Sequence, residues 1–171
     1  MAVSDYVMIE AWKQVLTLSR VERGQCITIL TDPDTHPQTL STATAAAHAL
    51  GTTVTRLDLS PVNSGSFWSG VALQDGTLLV GGLRGTIYRS ADGGSTWTAA
   101  RTPFKSSVTG MVQRFDKSIV ASALDGVTFV SHDDGATFTG TQRPDRTALT
   151  AVVDTQEGVP VFFTSDGPVV R

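Results

Sequence analysis

The stretches YRSADGGSTW (residues 88–97) and FVSHDDGATF (residues 129–138) both read Ser-x-Asp-x-Gly-x-Thr-aromatic. They stand 41 residues apart, Ser90 against Ser131. Turn chemistry accounts for each position. Asp92 and Asp133 can accept hydrogen bonds from turn N–H groups, imitating an extra turn of backbone. Gly94 and Gly135 tolerate the left-handed conformation that such a turn needs. Ser90, Thr96, Ser131 and Thr137 can close local hydrogen bonds. Trp97 and Phe138 then fold back as apolar plugs between sheets. The phrase therefore reads as a structural turn between two strands.

The same 41-residue spacing links Gly85, Gly126 and Gly167. Around them GTLLVGGLRGTIYRS (76–90), KSIVASALDGVTFVS (117–131) and GVPVFFTSDGPVVR (158–171) follow one plan of strand, glycine turn, strand. FWSGVAL, SVTGMVQ and ALTAVVD supply an earlier strand in each repeat, and the segment after the Asp turn supplies a fourth. Four short strands in about 40 residues is the measure of a propeller blade. Such a sheet cannot bury both faces alone and must be covered by its neighbours.

Residues 1–62 are written differently. Met8, Ala11, Trp12, Val15 and Leu16 at helical spacing predict an amphipathic helix over 5–20. The β-branched run CITILTD (26–32) predicts a buried strand, with Cys26 as a small apolar strand residue. Pro37 suits the first position of a helix. Leu40, Ala43, Ala47 and Leu50 give that helix one apolar face, and Gly51 stops it. TVTRLDLS (53–60) is a second strand, which completes a parallel βαβ unit. The polar run SPVNSGS (60–66) marks the boundary. The expected organisation is therefore a 1–62 βαβ segment, an incomplete α/β domain, followed by incomplete all-β propeller blades over 63–171. The fold class is α+β overall, with about two and a half four-stranded blades.

The two Asp phrases resemble Asp-boxes, the bacterial neuraminidase repeat. The blade pattern of residues 66–171 resembles propellers related to the photosystem II stability/assembly factor, which are often labelled glycosyl hydrolase-like or sialidase-like. In that family the box is a turn motif. Related sialidases use an arginine cluster, a Tyr paired with Glu, and an Asp. Arg84, Arg89, Arg101 and Arg114 are present here, with Tyr88 and Glu157 as the region's lone Tyr and Glu. No catalytic residue carries over. Residues 1–62, through SDYVMIEAWKQVLTLSRVERGQCITILTD and HPQTLSTATAAAHALGTTVTRLDL, resemble the start of 2,5-dihydroxypyridine 5,6-dioxygenase, an iron enzyme with a leucyl aminopeptidase-like fold. That resemblance places the metal ligands in a downstream domain, beyond where this chain leaves the pattern.

Remaining candidates are few. Asp32, Asp34 and His36 follow a strand and form a weak metal candidate; the competing reading is a polar turn capping the helix at Pro37. His48 reads as a helix-surface residue, and His132 as a solvent-exposed position of its box. Asp133-Asp134 supplies too few oxygens for calcium. The lone Cys26 excludes an intrachain disulfide. The net charge of −3 gives no reason to expect nucleic acid, and no apolar run reaches the ~20 residues of a membrane span. The N-terminus has no signal-peptide pattern, which points to the cytoplasm. No cofactor is expected.

The sequence thus predicts a non-catalytic propeller-type binding or assembly module with an α/β N-terminal extension. The alternatives are a dioxygenase fragment fused to a propeller tail and a sialidase-like glycosyl hydrolase. A protein partner or self-association is expected, because the last repeat lacks its outer strand. That would leave Val159, Val161, Phe162 and Phe163 half-covered.

Overall fold

The computed structural model describes residues 3–31, 34–59 and 66–170, and of Asp58 and Val170 the backbone alone. The boundary run 60–65 and Asp32 lie outside the described residues. The chain divides into two compact units, Met1–Asn63 and Ser64–Arg171.

The first unit runs α1 (Asp5–Leu18), β1 (Cys26–Thr31), α2 (Pro37–Ala49) and β2 (Thr53–Asp58). β1 and β2 pair in parallel, from Cys26 opposite Thr53 to Thr31 opposite Asp58. α2 starts where the Gln38 N–H donates to His36 Nδ1, with Pro37 in the first turn. It ends where Gly51, at φ +77°, turns the chain toward β2. The Gln38 amide ties the two helices by donating to Asp5 Oδ1 at 2.7 Å and to the Val3 carbonyl at 3.0 Å.

Two expectations change here. The apolar stripe of α1 is not buried: the helix has no buried residue, and Ala11 and Val15 are exposed. Cys26 is exposed rather than buried, with its thiol 3.4 Å from the Thr55 hydroxyl. The reason is common to both. A two-stranded sheet with two helices offers too little surface to cover a helix stripe or the outer end of a strand. An apolar cavity of 360 Å³ remains between α1, β1 and α2, lined by residues that include Trp12, Leu16, Ile29 and Leu40. Among the described residues no helix is long and apolar enough to cross a membrane.

The named strands of the second unit pair antiparallel. β3 (Phe67–Ala72), β4 (Leu78–Gly82), β5 (Ile87–Ser90) and β6 (Thr98–Ala99) form a first meander in chain order. β7 (Val108–Gln113), β8 (Ile119–Ala123), β9 (Val127–Ser131) and β10 (Thr139–Gln142) form a second. β11 (Ala151–Asp154), β12 (Pro160–Thr164) and β13 (Gly167–Val170) form a third, of three strands. The opening strands of successive sheets lie against one another, β3 on β7 and β7 on β11. The unit is propeller-like, mostly β and without a closed ring among the described residues.

The strand period of two splits the middle sheet between two cores. Ile119, Ala121, Ala123, Val127 and Phe129 face the first sheet, where they meet Leu73, Leu79 and Ile87. Val120, Val112 and Val130 face the third, where they meet Leu149, Val152 and Phe162. Phe162 is consequently 4% exposed, a correction to its expected half-covered state. It points back to the second sheet, while its neighbours Val161 and Phe163 point the other way.

Candidate functional site

The Asp phrases join the third and fourth strands of the first two sheets. In the first, Ser90 Oγ donates to Asp92 Oδ1 at 2.7 Å and accepts from the Gly94 N–H at 2.8 Å. The Thr96 N–H donates to Asp92 Oδ1 at 2.8 Å, and its hydroxyl to Oδ2 at 2.7 Å. The second copy repeats each bond. Ser131 Oγ donates to Asp133 Oδ1 at 2.8 Å and accepts from the Gly135 N–H at 3.0 Å. Thr137 donates to Asp133 from its N–H at 2.9 Å and from its hydroxyl at 2.6 Å. Gly94 and Gly135 sit at φ +93° and +82°, where a side chain would be strained.

Donors converging on each carboxylate favour its ionised form. The hydroxyl and N–H of Thr96, then the Ser90 hydroxyl, hold Asp92 at a pKa of about 2. The Thr137 hydroxyl and N–H hold Asp133 at about 2 as well. A carboxylate so stabilised stays charged at neutral pH and is a poor general acid or base there. It is suited to being the hub of a turn.

The two aromatic plugs differ. Phe138 is 6% exposed and meets Phe129 edge-on, with ring centroids 6.4 Å apart, inside the core between the first and second sheets. Trp97, expected to be a plug like it, is only half-buried, and its indole N–H is buried without a hydrogen-bond partner among the described residues. Within this unit no sheet precedes the first one to receive it.

Other sequence candidates disperse. His36 caps α2, Asp34 is exposed, and Asp32 lies outside the described residues. Among the described residues no three of His, Cys, Asp and Glu gather at a metal site. His48 and His132 are exposed. Of the arginines, Arg84 sits at φ +58° in the turn between β4 and β5. Arg89 Nε donates to the Asp134 carbonyl at 2.8 Å, and Arg101 bridges to Thr137. Arg114 pairs with Asp116 at 3.1 Å and Asp154 at 3.6 Å. Tyr88 packs edge-on against Phe67, and Glu157 is exposed in the β11–β12 turn.

Two features escaped sequence reasoning. Gly76, Lys117 and Gly158, also 41 apart, all adopt positive φ in the first hairpin of each sheet. The local signals were present: Asp75 accepts from the Thr77 N–H and hydroxyl, and Asp116 from those of Ser118. The second feature has no local signal. Gln113 Oε1 accepts from the Gln74 N–H at 2.8 Å, joining the second sheet to the first. At the position 41 residues on, Asp154 meets Arg114, joining the third sheet to the second.

Comparison with known proteins agrees with this picture at a distance. A family model described as 2,5-dihydroxypyridine 5,6-dioxygenase matches residues 7–84, somewhat under half of the chain. The match continues past the first unit through β3 and β4, further than the resemblance read from residues 1–62. No curated protein matches. Similar solved structures include a catalytically inactive virginiamycin B lyase from Staphylococcus aureus with quinupristin, at 14% identity and TM-score 0.50. It is covered over 61% of this chain and 40% of the lyase. YCF48 bound to D1 peptide is 19% identical, with TM-score 0.45 and coverage of 63% and 35%. The WD40 β-propeller domain of Doa1 is 13% identical, with TM-score 0.38 and coverage of 63% and 50%. The chain thus spans half or less of each of these relatives. At such identities the likeness to the lyase speaks to fold alone.

Proposed function

We propose that the chain is a non-catalytic binding or assembly module: β-propeller blades over 63–171 carrying an α/β extension over 1–62. The observation that carries this reading is the closed hydrogen bonding of Asp92 and Asp133. Both oxygens of each carboxylate are engaged by donors from their own turn. The repeated motif, which is the strongest chemical signal in the sequence, is consumed in holding strands together. What the second unit offers outward is sheet surface, the material of protein interfaces.

A second reading has its own support. The family match over residues 7–84 favours a fragment of an iron-dependent ring-cleaving dioxygenase joined to a propeller tail. One assay separates the two. The purified chain is mixed with Fe(II), oxygen and 2,5-dihydroxypyridine, and loss of the substrate is followed by absorbance. The binding-module reading expects the rate of a protein-free blank. Turnover that tracks bound iron and disappears in His36→Ala would replace it with the dioxygenase reading.

A further inference from the structure

We propose that the Arg114–Asp154 pair fixes the order of the sheets: it lets the third sheet settle on the second and not on the first, a choice that the apolar faces of these repeats do not make. The inference goes beyond the functional reading and holds equally for a binding module and for a dioxygenase fragment.

The repeat itself creates the ambiguity. At the first junction Val71 and Leu79 pack with Met111 and Ala121. At the second, 41 residues on, Val112 and Val120 pack with Val152 and Phe162. Both sets are apolar, and the burial of apolar surface is non-directional. The third sheet could therefore bury Val152 and Phe162 on the face of a first sheet as well as on that of a second. The occasion arises during folding, before the second sheet has taken its place, or on a neighbouring chain. Misassembly of this kind is a characteristic failure of repeat proteins.

The polar contacts do not repeat. At the first junction the Gln74 N–H donates to Gln113 Oε1 at 2.8 Å. At the position equivalent to Gln113 the third sheet has Asp154, whose carboxylate stands 3.6 Å from Arg114 Nε. The Asp154 side chain is 7% exposed, and neither of its oxygens has a hydrogen-bond partner among the described residues. Arg114 also donates to the carbonyl of Gly158, in the turn between β11 and β12, so it grips the third sheet at two points. Asp116 and Ser118 brace the guanidinium from its own hairpin, at 3.1 and 3.3 Å.

At the position equivalent to Arg114 the first sheet carries Leu73, 4% exposed. Docked there, Asp154 would leave water against an aliphatic side chain. It would find at most the Gln74 N–H, which Gln113 reaches with a side chain one methylene longer. A buried carboxylate deprived of its cation is strongly disfavoured. On the second sheet the same carboxylate is paired, but with hydrogen bonds unmade, which makes the pair a weak source of net stability. A contact that adds little to the correct assembly and opposes the wrong one acts on specificity.

The test makes the second junction like the first. In the full chain carrying Cys26→Ser, the double variant Arg114→Leu, Asp154→Gln gives positions 114 and 154 the residue types found at 73 and 113. Reporter cysteines replace Gln156 of the third sheet together with either Phe115 of the second or Gln74 of the first, exposed residues 41 apart on equivalent hairpins. Each protein is refolded from urea at high concentration and treated with a short bis-maleimide. Mass spectrometry then counts 156–115 and 156–74 links, within and between chains. The ratio of 156–74 to 156–115 links should rise at least about fivefold in the double variant, with a melting temperature equal to or above that of its parent. Asp154→Asn, which keeps the side-chain shape and removes the charge, should move the ratio in the same direction. An unchanged ratio in folded variants would overturn the proposal. So would a failure of Asp154→Asn to fold, since the pair would then serve stability and not order.

Discussion

Leu79 of the first sheet and Gly135 of the second Asp turn share one contact. A Cβ built on Gly135 would stand 2.6 Å from Leu79 Cδ2 and 2.8 Å from Cδ1. The turn that organises the second sheet therefore also seats it on the first. Beside this contact the Arg101 N–H donates to the Ala136 carbonyl at 3.1 Å, and the Phe138 N–H to the Arg101 carbonyl at 2.9 Å. The motif is at once a local turn and a joint between sheets.

Gly135→Ala should accordingly destabilise the unit by about 1–3 kcal/mol, combining strain at positive φ with overpacking against Leu79. Gly93→Ala, also at positive φ but with nothing within 4 Å of its Cβ position, should cost less. Urea unfolding of the two variants side by side checks the order. An equal loss would mean that the Leu79 contact carries no energy.

Ser131→Ala removes a hydroxyl that is 1% exposed, that donates to Asp133 and that accepts from Gly135. It should cost about 1–2 kcal/mol, because the Gly135 N–H loses its acceptor. In a unit of this size each kcal/mol lowers the melting temperature by roughly 4–8 °C. Calorimetry on the full chain measures it.

Acid should destabilise the second unit through its turns. The folded-state pKa of Asp92 and of Asp133 is about 2, below the ~3.9 of an unfolded Asp. A depressed folded pKa contributes stability that is fully present above the unfolded value. That contribution is lost as pH falls from about 4 through 2. Asp75 and Asp116 are shifted down in the same sense, by the Thr77 N–H and the Ser118 hydroxyl first. The melting temperature should be level from pH 5 to 8 as far as these groups are concerned, and fall steeply below pH 4. A double Asp92→Asn, Asp133→Asn variant should show a shallower fall.

Phe129→Ala should be the most damaging of these changes. The ring is fully buried and meets both Phe104 and Phe138, with centroids 6.4 Å away in each case. Truncation costs about 3–5 kcal/mol, a large part of the stability of a small domain. Phe115→Ala, 74% exposed on the β7–β8 hairpin, should cost almost nothing. Equilibrium unfolding of the pair gives the comparison.

The chain's repeat, its turns and the change of style near residue 60 were legible in the sequence, because each depends on local physics. Asp92 and Asp133 bond to residues two and four positions away, and Pro37 and Gly51 punctuate a helix through their own backbone preferences. Which side chains are covered was decided by tertiary structure alone. Val161 and Phe162 are adjacent and similarly apolar, yet Phe162 is buried while Val161 faces outward, because strand alternation gives the second sheet to one and nothing in this unit to the other. Cys26 and the stripe of α1 have the composition of buried residues and remain uncovered, since burial requires a neighbouring surface that a residue cannot supply for itself. The same holds for Arg114 and Asp154. Their pairing joins residues 40 apart through the packing of two sheets, and no local pattern announces it.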